Sequence, residues 1–136
     1  MPELHVAAGP GAFAQAADHL GAALDAAGVH GRTRYQVELI FEEVVTNILR
    51  HGQLAKTDSG IDVQVACETD AIRLTFTDGG RPFDLRQQPP PRRAESLEDA
   101  PLGGLGIALV RHAARDLQYV RTPDGRNQLT VTIARD

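Results

Sequence analysis

Three stretches of the chain place hydrophobic residues at helical spacing. The first covers residues 11 to 27 and the second covers residues 32 to 51, and each is followed by a glycine, the residue that commonly terminates helices. A third, shorter stretch covers residues 106 to 114. On the second helix the hydrophobic side chains occupy one broad arc, so we expect its chemistry on the opposite, polar arc. That arc consists of Glu43, Asn47, Arg50 and His51.

Strict alternation of apolar and polar residues predicts the strands. Residues 61 to 69 and 71 to 78 read as an antiparallel hairpin, residues 3 to 8 as an opening strand, and the runs on either side of residues 122 to 126 as a closing hairpin. Residues 79 to 103 are rich in proline and arginine and lack a period, which predicts a long loop. Because helices and strands come in clusters, we predict an α+β fold with helices on one face of a mixed, mostly antiparallel sheet.

Composition and charge narrow the class of protein. The chain has 136 residues, 42% of them hydrophobic and 24% charged, which fits a single globular domain over residues 1 to 136. Acidic residues outnumber basic ones by 18 to 14, so nucleic acid is not expected as a partner. The single cysteine, the absence of a membrane-length apolar run and the lack of a signal-peptide pattern predict a cytoplasmic protein with no membrane partner.

Several common catalytic motifs are missing. Lys56, the one lysine, is not preceded by the glycines of a P-loop, and the run from Gly104 to Leu109 has leucine where a dinucleotide fingerprint has its third glycine. Neither Ser59 nor Ser96 lies in a nucleophile elbow, and no histidine forms a paired zinc spacing with Cys67. The sequence therefore predicts neither a P-loop NTPase, a Rossmann site, a serine hydrolase nor a zinc site.

Two polar patches remain as candidates for chemistry. Glu43 and Asn47 lie four residues apart on one helical face, where an asparagine oxygen suits Mg²⁺, and the plain alternative is a solvated helix face. Asp78 ends a strand directly before two glycines. A carboxylate there accepts a hydrogen bond from an exocyclic amine while Gly80 leaves room for a planar ring, and the alternative is an ordinary Asx turn.

A third patch is rich in glycine. Gly103, Gly104 and Gly106 precede a predicted helix, whose N-terminal amides favour phosphate oxygens, and the alternative is a flexible hinge. The order of the three patches along the chain favours a functional interpretation over the three plain alternatives.

In this order the patches resemble the N, G1 and G2 boxes of the ATP-binding domains shared by DNA gyrase, the ninety-kilodalton heat-shock chaperone, histidine kinases and mismatch-repair proteins. They read EVVTNILRHG, DGGRPFD and LEDAPLGGLGIALVR. Within that superfamily the chain is most similar to small bacterial anti-sigma factors that are serine-protein kinases. The resemblance covers about the whole chain and implies their two-layer Bergerat-type sandwich.

The resemblance also implies a role for each matching residue. Asn47 would coordinate the Mg²⁺ that bridges the ATP phosphates, Glu43 would act as the base or orient the attacking hydroxyl, and Asp78 would bind the adenine amino group. Gly80 would line the adenine pocket, and residues 79 to 104 would form an ATP lid. The other box residues expected around the nucleotide are Arg50, His51, Pro82, Phe83, Gly103, Gly104, Leu105 and Gly106.

Two positions depart from the family's pattern. Pro82 stands where a full Asp-x-Gly-x-Gly has its second glycine, and it removes one backbone donor. On the last hairpin, residues 125 to 127 replace a Gly-x-Thr turn, so either Asn127 or Thr130 is expected to supply a polar contact near adenine. A basic phosphate contact is expected from one of five arginines: Arg50, Arg81, Arg86, Arg92 or Arg93.

The function implied by the resemblance is that of an ATP-dependent serine/threonine-protein kinase acting as an anti-sigma factor. Such a protein phosphorylates an anti-sigma-factor antagonist of the STAS type and, when the antagonist is phosphorylated or absent, sequesters a sigma factor. A homodimer is expected on the same ground. The alternative is an ATP-binding interaction module without phosphoryl transfer. Glu43 favours the kinase, because a pure binder has no need of the base.

Overall fold

The computed structural model describes residues 3–7, 11–51, 60–87 and 104–135. The predicted helices and strands are present, and most of their ends lie within two residues of the prediction. The helices are α1 (Ala12–Ala26), α2 (Gly31–His51) and α3 (Gly104–Ala113). The strands are β1 (Glu3–Val6), β2 (Ile61–Cys67), β3 (Ala71–Asp78), β4 (Asp116–Arg121) and β5 (Asn127–Ala134).

The five strands form one sheet in the order β1-β2-β3-β5-β4. Every neighbouring pair is antiparallel, so the α+β prediction is confirmed, whereas the parallel pairing implied by a mixed sheet is absent among the described strands. The reason is the number of helices between strands. Because α1 and α2 follow each other between β1 and β2, the chain returns to the end where β1 finished, and Val6 pairs with Ile61.

The sheet has one apolar face and one polar face, because successive side chains of a strand point to opposite sides. One cross-strand row of the apolar face is made by Val65, Leu74, Val131 and Leu117. The row beside it, on the polar face, is made by Gln64, Thr75, Thr130 and Gln118.

Helices α1 and α2 pack on the apolar face, where α1 contacts β1 and β2, and α2 contacts β5. Ile40 of α2 is fully buried, and so, or almost so, are the five apolar side chains that the helical spacing predicts on the buried arc: Val37, Phe41, Val44, Val45 and Ile48. Phe41 stacks on Phe13 of α1 and lies against Phe76 of β3, which joins both helices to the sheet. Within the described ranges, no helix is both long and apolar enough to cross a membrane.

Glycine is required at the start of β2. Gly60 has a φ of +89°, and a Cβ atom at this position would lie 2.1 Å from the carbonyl oxygen of Val6. Any side chain would therefore push β2 away from β1 in addition to straining the backbone. The close approach of the two strand ends depends on the absence of that side chain.

The first part of the predicted long loop is packed against the core. Phe83 is 9% exposed and Leu85 is 3% exposed, and residues Leu85–Gln87 form one turn of 3₁₀ helix. The predicted lid of residues 79 to 104 therefore begins with an anchored segment up to residue 87. The remainder of the predicted lid, residues 88–103, lies outside the described residues.

Candidate nucleotide-binding site

The site begins at the last residue of β3. Asp78 pairs with Asn127, the first residue of β5, and both point to the helix side of the sheet, where Asp78 is only 2% exposed. Oδ1 of Asp78 accepts the backbone N–H of Gly80 at 2.9 Å and the Nδ2 amide of Asn127 at 3.1 Å. The Asx turn considered as the plain alternative is therefore present, and it also fixes the carboxylate that the functional interpretation requires.

The side chain of Asn127 is fully engaged with the protein. Its Nδ2 donates to Asp78 and, at 2.7 Å, to the carbonyl oxygen of Arg81. Its Oδ1 accepts the backbone N–H of Phe83 at 3.2 Å, the guanidinium of Arg121 at 3.1 Å and the hydroxyl of Tyr119. An amide has two N–H donors and one acceptor oxygen, so these five hydrogen bonds use all the donors and the acceptor of the Asn127 side chain. The structure thus places Asn127 as a support of Asp78, with its side-chain amide engaged by the protein itself.

Thr130 was the other candidate for that polar contact, and this prediction is wrong. It lies three residues after Asn127 in an extended strand, so its side chain points to the opposite face. There it lies in a row with Thr75 and Gln118. The sheet itself separates Thr130 from Asp78.

Asn47 occupies a buried position on α2, with 2% of its surface exposed. The plain alternative of a solvated helix face is therefore excluded for Asn47, and α3 packs against the same helix. Its Nδ2 donates to the carbonyl oxygen of Glu43 at 2.8 Å, one helical turn earlier. With the nitrogen held in this way, Oδ1 is the end of the amide that suits Mg²⁺, a cation that prefers oxygen ligands.

Glu43 is partly buried, in contrast to the glutamate before it. Burial raises the pKa of Glu43, and repulsion by the neighbouring carboxylate of Glu42 raises it further, whereas the positive charge of Arg50 lowers it. A carboxylate with a raised pKa is a stronger base once it is ionised. The spacing of residues 43, 47 and 50 thus places a base, an oxygen ligand and a cation on one stripe of α2.

Helix α3 supplies the third part of the site. Gly104, Leu105 and Gly106 form its first turn, whose backbone N–H groups have no partner within the helix and favour an anion. The side chains at residues 51 and 104–107 are not described, and Gly103, Arg92 and Arg93 lie outside the described residues. The helix begins two residues earlier than the spacing predicts, so all three of its first residues belong to the glycine-rich patch.

Two of the arginines considered for phosphate contact have structural roles. Arg86 forms a bidentate pair with Asp84, with 2.8 Å between Nη2 and Oδ2, and lies over the ring of Tyr119. Its hydrogen bonds lower the pKa of Asp84. Arg81 lies over the ring of Phe83, with 5.3 Å to the ring centre. Among the described candidates, Arg50 is the one beside Glu43 and Asn47.

A hydrogen bond joins α3 to the anchored first part of the predicted lid. The guanidinium of Arg111, on α3, donates to the carbonyl oxygen of Arg86, in the 3₁₀ turn. Pro82, although exposed, lies within the anchored segment between Gly80 and Phe83.

Tyr119 and Arg121 were missed by the sequence analysis. Both are on the same face of β4 as Leu117, and Arg121 pairs with Asn127 across the strands. Arg121 also donates to the carbonyl oxygen of Gly80 at 3.0 Å. The alternation of Leu117, Tyr119 and Arg121 was the available signal, since it places both polar side chains on the face of the site.

A concavity of about 470 Å³ lies elsewhere, on the polar face of the sheet. It is lined by side chains of β1, β2, β3 and β5, among them His5 and Asp62, whose Nδ1 and Oδ1 atoms are 2.8 Å apart. The sheet separates this concavity from Asp78, so it is not part of the candidate site.

Comparisons with known proteins show the family to which the chain belongs. Residues 6–133 match the family model of the histidine kinase-like ATPase domain. The serine/threonine-protein kinase BtrW of Bordetella bronchiseptica is 34% identical over 101 residues, which are 74% of this chain and 70% of BtrW. Among solved structures, the histidine kinase AdeS of Acinetobacter baumannii is 17% identical with a TM-score of 0.48, over 76% of this chain and 47% of AdeS, about half its length. The matched residues include all three boxes, and the chain therefore belongs to the histidine kinase-like ATPase family.

Proposed function

We propose that this protein is an ATP-dependent serine/threonine-protein kinase that acts as an anti-sigma factor. The observation that carries the proposal is the pair of residues on α2, in which Asn47 is buried and hydrogen-bonded to the carbonyl oxygen of a partly buried Glu43. A site for ATP binding alone has no use for a base at this position. The name of BtrW, a serine/threonine-protein kinase, supports the same activity.

In the proposed reaction, Glu43 removes the proton from a serine or threonine hydroxyl of the partner. The hydroxyl oxygen then forms a bond to the γ-phosphorus of ATP, and the bond between that phosphorus and the bridging oxygen of ADP breaks. Asp78 holds the base of the nucleotide, and the first turn of α3 binds its phosphates. Mg²⁺, which Asn47 would hold through Oδ1, neutralises phosphate charge when bound.

The proposed partners follow from the same assignment. The phosphorylated protein is an anti-sigma-factor antagonist of the STAS type, and the sequestered protein is a sigma factor. We also propose that the chain forms a homodimer. Similarity to the anti-sigma kinases supports these three proposals.

Transfer to a partner tests the proposed function directly. The protein is incubated with Mg·ATP and candidate antagonist proteins from the source genome, and intact masses are measured. We expect one added phosphoryl group on one candidate, and none when EDTA is present. If ATP binds in the same samples but no candidate is phosphorylated, the result supports the non-catalytic binding module instead.

Replacing Glu42 with glutamine should shift the pH dependence of this transfer. The substitution removes a negative charge that raises the pKa of Glu43, so Glu43 ionises at lower pH. The acidic limb of the rate profile is expected to move to lower pH. The matched control is Glu38→Gln, one turn earlier on α2, because Glu38 is paired with Arg34 at 3.0 Å. An unchanged profile for Glu42→Gln, or a shift to higher pH, contradicts the role of Glu43 as base.

A further inference from the structure

We infer that Asn127 is a positioning residue that makes the nucleotide site selective for a base with an exocyclic amino group. The inference deepens the proposed function and rests on Asp78 as the residue that binds the base. Asn127 acts through Asp78 and does not touch the nucleotide itself.

The first step is the orientation of the Asp78 carboxylate. Both of its hydrogen bonds from described residues fall on Oδ1, from the backbone of Gly80 and from Nδ2 of Asn127. Two donors that converge on one oxygen fix the plane of the carboxylate. The other oxygen, Oδ2, is then the acceptor that the carboxylate presents to a ligand, and an amino group is the complementary donor.

The second step is the orientation of the Asn127 amide, whose nitrogen and oxygen must not be exchanged. A guanidinium and a backbone N–H can only donate, so the bonds from Arg121 and Phe83 identify the oxygen. A backbone carbonyl can only accept, so the bond to Arg81 identifies the nitrogen. Flipping the amide would place its oxygen against Asp78 and against a carbonyl oxygen. The network therefore permits a single orientation, with a donor facing Asp78.

The third step is the anchoring of Asn127 by β4. Tyr119 donates its hydroxyl to Oδ1 of Asn127, and Arg121 donates to the same oxygen and to the carbonyl oxygen of Gly80. Asn127 is 4% exposed, so water does not compete easily for these bonds. The carboxylate of Asp78 is thus held by groups from the glycine turn, β4 and β5 together.

The consequence is a discrimination between bases. A site arranged to bind an amino group rejects an analogue that lacks it, because the buried acceptor is then left without its partner. If Asp78 were free to rotate, its carboxylate could turn towards other donors and the discrimination would decrease. We therefore expect Asn127 to control the preference for the amino group more strongly than the overall affinity.

The test compares ATP with purine riboside triphosphate, which has hydrogen in place of the 6-amino group. Both dissociation constants are measured by calorimetry with Mg²⁺ present. We expect the wild-type protein to prefer ATP by about tenfold or more, and Asn127→Ala to lose most of that preference while its affinity for the analogue changes by less than about threefold. Asp78→Asn provides the reference for a site without the carboxylate. Gln128→Ala, the next residue on the opposite face, should retain the wild-type preference.

A second variant guards against a folding defect in Asn127→Ala. Tyr119→Phe removes one donor to Oδ1 of Asn127 and leaves the bond to Asp78 in place, so the preference should fall by a smaller factor in the same direction. If Asn127→Ala weakens the binding of both nucleotides equally, the role of Asn127 is merely structural and the inference is overturned. If Asn127→Ala does not fold, an unchanged preference in Tyr119→Phe overturns it. If the wild-type protein binds neither nucleotide, the proposed function and the inference are both overturned. If it binds ATP and one of the two contradicting results above is obtained, only the inference is overturned.

Discussion

Replacing Glu43 with glutamine is expected to reduce phosphoryl transfer by about 10²–10⁴-fold while leaving ATP affinity unchanged. Glutamine has nearly the same shape but cannot accept the proton of the attacking hydroxyl. The backbone carbonyl of residue 43, which accepts the hydrogen bond from Asn47, is retained in the variant. The substitution therefore removes the base and keeps the support of the proposed metal ligand.

The measurement combines single-turnover transfer to the phosphorylated partner with calorimetric titration of Mg·ATP. Glu38→Gln is the matched control, because it makes the same chemical change on the exposed side of the same helix. Transfer at the wild-type rate by Glu43→Gln would refute the role of Glu43 as base. A parallel loss of ATP affinity would show that the carboxylate acts in binding and not in the chemical step.

Replacing Asn47 with alanine is expected to abolish the gain in ATP affinity that Mg²⁺ provides, and to reduce transfer by about a hundredfold or more. Alanine removes the oxygen ligand, and it leaves the helix intact because alanine has the highest helix propensity. Affinity for ATP in EDTA should change little, since the proposed contacts of adenine with Asp78 and of the phosphates with the first turn of α3 remain.

The affinities of wild type and Asn47→Ala are compared in Mg²⁺ and in EDTA, with thermal unfolding as the check on folding. Thr46→Ala is the control, because it shortens a partly buried side chain at the adjacent position of the same helix. If Mg²⁺ strengthens ATP binding equally in Asn47→Ala and in wild type, Asn47 is not the metal ligand. The burial of Asn47 would then serve packing alone.

The two predictions concern one end of the molecule, where α2, α3 and the ends of β3 and β5 meet. The apolar core places them there, because the buried stripe of α2 determines how that helix is rotated on the sheet. Once Val44 and Ile48 are buried, Asn47 necessarily lies between the sheet side and the solvent side of the helix. In the folded protein Asn47 is 2% exposed.

The local pattern of apolar and polar residues predicted almost all of the secondary structure. Residues 71–78 were predicted as a strand with these same bounds, since their alternation is set by the pleat alone. The position of Asp78 at the strand end followed directly. The predicted start of α3 lies two residues too late. The reason is that glycines, which have a low helix propensity, occupy the first turn and argue against a helix there in a prediction from sequence.

The burial and the hydrogen-bond partners of the polar residues depend on contacts between segments that are distant in the sequence. A helical wheel of α2 places Asn47 on the polar arc but cannot show that it is buried, because the wheel contains no information on segments elsewhere in the chain. Asn127 was expected near adenine, and in the structure its side chain makes five hydrogen bonds, to Asp78, Arg81, Phe83, Tyr119 and Arg121. Thr130 was expected near adenine, but its side chain lies on the opposite face of the sheet, because successive residues of a strand alternate between the two faces.

The sequence by itself determined the elements, the α+β class and the three boxes, because spacing along a helix or strand is a local property of the backbone and the boxes are contiguous runs of residues. The tertiary structure alone decided which polar side chains are buried, which oxygen of Asp78 is left for a ligand, and that Tyr119 and Arg121 belong to the site. Those features depend on strand register and helix packing, which bring together residues that are far apart in the sequence, such as Asp78 and Asn127, 49 positions apart.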